Sequence, residues 1–177
     1  KTEYDVTKSM LKTIRSLTES KPSKRTINEE VIPEIPGHDS SEEIDEMTRW
    51  VVKELGPDVP MHFTAFHPEW KMMDKPSTPP ETLTRAREIA IKNGVHYAYT
   101  GNVHDKAGDS TYCHQCGTTL IGRDWYVLSD WNLTNDGHCN NCGAQCAGLF
   151  DGPPGEWGAR RMPVNLNEFA EESAIHS

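Results

Sequence analysis

The chain has 177 residues, enough for one good domain plus a small appendage. Its net charge is −9, from 18 Lys and Arg against 27 Asp and Glu, so it has no electrostatic drive towards nucleic acid, and no basic stripe stands out. Hydrophobic residues make up 35% and mean hydropathy is −0.69, which points to stretches of loop, and no apolar run approaches the roughly 20 residues a membrane span needs.

Asp5 to Glu19 carries Met10, Leu11, Ile14 and Leu17 at helical spacing, and Lys21-Pro22-Ser23-Lys24 ends that helix. Thr26 to Ile35 reads as a weak strand, because Pro33 removes a ladder donor. Pro36-Gly37 turns the chain. The next helix has a clear start, a capping box of Ser40 and Glu43. Ile44, Met47, Val51 and Leu55 form its apolar stripe, acidic residues fill its first turns, and Gly56-Pro57 stops it. Met61 to Phe66 reads as a buried strand, followed by a long loop through Pro76. A second capping box is expected at Thr78 and Glu81, with proline at the first helical position. Leu83, Ala86, Ile89 and Ala90 give that helix its apolar face, and Asn93-Gly94 caps it. Val95 to Thr100 is the next strand.

Strands alternating with helices of this length imply right-handed βαβ units and a parallel sheet. Ligands in such sheets sit at the carboxyl ends of the strands. Those ends carry His67 after one strand, and Asn102, His104 and Asp105 after the next, so these four are the candidate pocket residues. Each has a plainer reading as a loop or turn residue, since Gly101-Asn102 is a common turn pair and Asp favours local backbone bonds.

After residue 110 the periodicity gives way to cysteine chemistry. Cys113-His114-Gln115-Cys116-Gly117 and Cys139-Asn140-Asn141-Cys142-Gly143 each place two thiols two residues apart with glycine directly after. Such a turn aims both sulfurs at one point and lets amides donate to the thiolates, and glycine supplies the positive φ. Cys113, Cys116, Cys139 and Cys142 are therefore expected to hold one metal ion, zinc ahead of iron, in a structural ribbon or rubredoxin-like site. Disulfides are the alternative, but the chain shows no signal peptide and reads as a cytoplasmic α/β protein. The fifth cysteine, Cys146, reads as a small buried residue, because four sulfurs already close a site. His114 and His138 adjoin the knuckles without being needed as ligands. Beyond Phe150 lies a turn-rich tail. The expected units are a βα segment over 1–108, the metal ribbon over 109–150 and an extended tail over 151–177.

Several motifs resemble one family in the same order. They are His62 to Pro68, Tyr99 to Asp105, Ser110 to Cys113, Cys116-Gly117 with Leu120-Ile121, and Gly152 to Arg161, with Pro36 to Ser40 fitting as well. The chain is similar here to the carboxyl-terminal half of AmmeMemoRadiSam-type radical SAM enzymes, labelled pyruvate formate-lyase activating enzyme-like. The resemblance implies an α/β fold, a partial (β/α) barrel half followed by the ribbon. That family's first half carries a C-x-x-x-C-x-x-C motif for a [4Fe-4S] cluster that binds S-adenosylmethionine. All five cysteines here lie after residue 112. The chain alone is then expected not to be catalytic, and the cluster and S-adenosylmethionine enter only with an amino-terminal half. A half barrel leaves sheet edges that an amino-terminal half-barrel or another protein must cover. A stand-alone zinc-stabilised binding module and a rubredoxin-like electron carrier are the competing expectations.

Overall fold

A computed structural model describes residues 30–34, 40–71 and 73–155. The helix expected over Asp5–Glu19, the Pro36-Gly37 turn, Arg160-Arg161 and most of the tail lie outside the described residues.

The first unit alternates strands and helices: β1 (Glu30–Glu34), α1 (Ser41–Glu54), β2 (Met61–Ala65), α2 (Pro80–Lys92) and β3 (Ala98–Gly101). The three strands form an open parallel sheet in the order β1-β2-β3. Parallel pairing follows from the crossovers, because each strand is reached through a helix. Met61, Phe63 and Ala65 are buried while His62 and Thr64 are half-exposed. The expected strand forms, and this alternate face is the buried one. That face packs on Ile44 and Val51 of α1 and on Leu83, Ala86 and Ala90 of α2, making one apolar core.

Local chemistry fixes the helix starts differently. Ser40 Oγ accepts from the Glu43 amide at 3.2 Å, so Ser40 caps the helix as expected, while its hydroxyl donates to the Glu43 carboxylate at 3.0 Å in place of the backbone bond of a full capping box. The second does not form. Pro79 is the N-cap of α2 and makes no side-chain cap bond. The Thr78 hydroxyl instead accepts the Phe66 amide at 2.9 Å, and Thr78 is buried. The amide just past β2 would otherwise have been left unpaired, which costs more than a missing cap at a helix that starts on proline. Pro80 does occupy the first helical position, as expected. Asn93 closes α2 and reaches across to α1, where its Nδ2 donates to Thr48 Oγ1 at 2.8 Å and to Asp45 Oδ1 at 3.0 Å.

The second unit follows a single helical turn, α3 (Lys106–Asp109). It is an antiparallel sheet of β4 (Thr111–Tyr112), β5 (Thr119–Asp124) and β6 (Val127–Trp131) in that order. Sequence pattern missed the β5–β6 hairpin. Its two-residue turn is Trp125-Tyr126, with Trp125 at φ 55 where Gly or Asn is usual, so no turn signal was present. Leu120, Ile121, Leu133, Cys113, Cys139 and Cys146 form a second core against Tyr97. Tyr99 Oη also bonds Thr111 Oγ1 at 2.9 Å, so the ribbon docks on the β3 side of the first unit.

Candidate metal centre

The two knuckles are near copies of each other. Gly117 N donates to Cys113 O at 2.9 Å, and Gly143 N donates to Cys139 O at 2.8 Å. Cys113 N donates to Thr118 O and Cys139 N to Ala144 O, both at 2.8 Å. Gly117 has φ 72 and Gly143 φ 76, the left-handed geometry that glycine adopts without penalty. In each knuckle the first cysteine is buried and the second exposed.

These turns bring Cys113, Cys116, Cys139 and Cys142 together, their sulfurs all within 4.8 Å of one another. Cys113 Sγ lies 3.5 Å from Cys142 Sγ, and Cys116 Sγ lies 3.7 Å from Cys139 Sγ. Four sulfurs about 2.3 Å from a central ion in a tetrahedron sit about 3.8 Å apart, so these two pairs are close to the spacing of a thiolate-bound metal ion. The five cysteines are free, and the disulfide alternative is not what the structure contains.

The sulfurs are electrostatically unequal. Cys116 is held down to about 5, first by the Thr118 hydroxyl, then by the Asn141 side chain and the Thr118 amide. Cys142 accepts from the Ala144 amide, which lowers it, but desolvation and the neighbouring thiols push it up to about 12. Four thiols packed this closely cannot all ionise without a cation between them. A divalent ion removes that conflict, and binding releases the protons.

Cys146 stays outside the quartet. It is buried at 4% exposure beside Tyr97, and burial pushes its thiol up. Tyr97 Oη accepts the Ala147 amide at 2.8 Å, and burial raises the phenol too. His138 Nδ1 sits 3.2 Å from Asp136, away from the sulfurs. His114 stacks on His96 with ring centroids 4.1 Å apart, and His96 Nδ1 meets Asp58 at 2.8 Å. The first knuckle is thereby tied to the turn after α2.

The strand-end residues separate into different roles. His67 is exposed, with Nε2 3.4 Å from Asn102 O. Asn102 takes φ 58, the left-handed turn geometry, and its Nδ2 donates to Ala65 O at 3.4 Å. His104 Nε2 bonds Asp124 at 2.8 Å and faces the Trp125 ring, joining the β3 loop to the hairpin. Asp105 turns inward and accepts from Thr100 Oγ1 at 3.1 Å. A Cβ on Gly108 would overlap both of these groups, so the Asp105 side chain belongs to local packing. Of the four, Asn102 lines an open cleft of about 500 Å³ between the His62 face of the sheet and the hairpin, with His62, Tyr99, Arg123 and Trp125. His62 stacks on Tyr99 there at 4.9 Å.

With this geometry in view, the likeness to other proteins is narrow. An uncharacterized protein of Methanocaldococcus jannaschii is 40% identical over 107 residues, which cover 60% of this chain and 32% of that protein. The chain spans about a third of the length of the relative it matches. No family model and no solved structure matches it. Among the described residues no helix is long and apolar enough to cross a membrane.

Proposed function

We propose that this chain is the carboxyl-terminal portion of a radical SAM family protein, stapled by a structural zinc ion on Cys113, Cys116, Cys139 and Cys142. The carrying observation is the sulfur quartet, whose spacing fits one tetrahedral ion. The ordered motifs support the family reading, and a much longer relative fits a chain that acts as part of something larger. An open parallel sheet with helices on one face has the layering of a (β/α) barrel segment. In that reading the half-exposed face with His62, Thr64 and Tyr99 looks into the barrel, and an amino-terminal half-barrel covers the free edge.

The residues present do not fit a [4Fe-4S] cluster. Four of the five cysteines are committed to one quartet, and Cys146 is buried apart from it. Alone, therefore, the chain binds metal structurally and is silent in radical chemistry. Element analysis is expected to find one zinc per chain in colourless protein. After anaerobic reconstitution with iron and sulfide, the chain alone is expected to form no 5′-deoxyadenosine. Turnover by this chain alone overturns the reading.

One observation favours a second reading, a rubredoxin-like electron carrier. Cys116 and Cys142 are both exposed, which would bring an iron centre close to a redox partner. Red protein with one iron per chain and reversible bleaching on reduction would select it.

A further inference from the structure

Besides the sulfur site, the molecule has a second cleft, of about 450 Å³, lined in part by the first knuckle. Arg87 and Ile91 of α2, His96 and Tyr97, and Tyr112 and His114 line it. Among the described residues that line it none is Asp or Glu, although the chain carries 27 of them and a net charge of −9. The one permanent charge on that described lining is the Arg87 cation.

We propose that this cleft binds a small molecule with an oxyanion head, carboxylate or phosphate, on a flat or apolar body. The anchor is Arg87. Its Nε donates to Ala98 O at 2.9 Å, which fixes the side chain against β3, and its guanidinium carbon lies 5.5 Å from the centre of the Tyr112 ring. Among the described residues its two terminal nitrogens have no partner. A half-buried, oriented guanidinium whose two terminal nitrogens are unpaired among the described residues matches the paired oxygens of a carboxylate or phosphate. Ile91, 45% exposed at the lip, and the Tyr112 ring supply the apolar surface for the body of the ligand. The stacked His96–His114 pair closes one end.

Two negative groups lie nearby. Asp58 is outside the lining and engaged by His96 Nδ1. A loaded four-thiolate site carries excess negative charge behind the Cys113 wall, where Cys113 is 3% exposed. The ligand must therefore meet the guanidinium directly, and the affinity is expected to be modest and to weaken with salt. The inference does not rest on the radical SAM reading, only on a folded first knuckle.

Binding to the full metal-loaded chain by calorimetry tests it, with benzoate, inorganic phosphate and the neutral isostere benzamide as probes. Benzoate or phosphate is expected to bind and benzamide is not. Preference for benzoate selects a flat carboxylate, and preference for phosphate selects a phosphate head. Arg87→Gln is expected to weaken the anion at least about tenfold, the loss typical of one charge-assisted pair. Because that change also touches the Ala98 bond, Ile91→Asp serves as a second variant. It leaves Arg87 in place and sets a carboxylate at the exposed lip, and it is expected to weaken the anion in the same direction with unchanged melting and metal content. Failure of both anions to bind, equal binding of benzoate and benzamide, or wild-type anion affinity in Ile91→Asp overturns the proposal.

Discussion

The two halves of this molecule hold themselves together by different means. The βα unit buries Met61, Phe63, Leu83, Ala86 and Ala90 almost completely, with helices and sheet sharing one apolar layer. The ribbon has only a few aliphatic side chains at its centre, and three of its core residues are cysteines, two of them ligands. Its β6 strand exposes Val127 and Leu128. A segment with so little apolar surface to bury cannot offset the chain entropy lost on ordering by burial alone. The contrast teaches that one polypeptide can carry a unit stabilised by hydrophobic burial beside one whose small core leaves room for a metal-binding quartet to supply folding free energy.

The sharpest way to break that contrast is to remove the ion. Cys116→Ser, or a strong chelator, is expected to unfold the ribbon while α1 and α2 keep their helical signal, because structural zinc contributes on the order of 10 kcal/mol. Hydrogen exchange and metal stoichiometry read the two units separately. Retained protection of β5 and β6 amides in metal-free protein would show that the ribbon does not depend on the ion.

The converse variant strikes the other unit. Phe63→Ala removes a side chain with 0% exposure and is expected to cost about 3–5 kcal/mol. Metal content should persist longer than helicity as denaturant rises. Simultaneous loss of both would mean that the units unfold as one.

The seam between them can be sharpened at Tyr97, whose Oη accepts the Ala147 amide. Tyr97→Phe leaves that amide without its partner and is expected to cost about 1–2 kcal/mol, with faster exchange near Ala147. The phenol also sets an alkaline limit. Burial raises Tyr97 above its ordinary 10.0 in the folded state. The stabilisation is therefore complete below that value and is lost as pH rises past it, since the unfolded chain ionises first. Melting followed upward through that window should show the decline in the wild type and a flatter profile in Tyr97→Phe.

The smallest effect belongs to the start of α1. Ser40→Ala removes the acceptor of the Glu43 amide and is expected to cost about 1 kcal/mol without altering the ribbon or its metal. A change in metal affinity would show that the units communicate through α1.

Much of the metal centre was legible in the residues themselves. Two C-x-x-C-G turns carry their own geometry, because short-range backbone constraints aim the sulfurs and glycine supplies the required φ. The Ser40 cap and the α1 and α2 stripes were equally local. The hairpin is hidden in the sequence because its turn holds Trp125 and Tyr126 where Gly, Asn or Asp is usual, and β6 lacks an alternating pattern of burial. The strand-end candidates were correctly placed on loops, but their partners lie far along the chain. His104 meets Asp124 and His67 meets Asn102 only because the sheet and the hairpin bring those loops together.

Sequence alone thus determined the two cysteine turns that gather the sulfurs, the Ser40 start of α1 and the parallel sense of the sheet, all of which arise within a few residues or from the order of elements. Tertiary structure decided that Thr78 would serve Phe66 instead of its own helix, that Tyr97 would pin the ribbon through Ala147, and that Arg87 would stand in a cleft beside the first knuckle. These outcomes depend on which buried donors and acceptors remain unpaired once the chain has folded back on itself, and residue order does not reveal that.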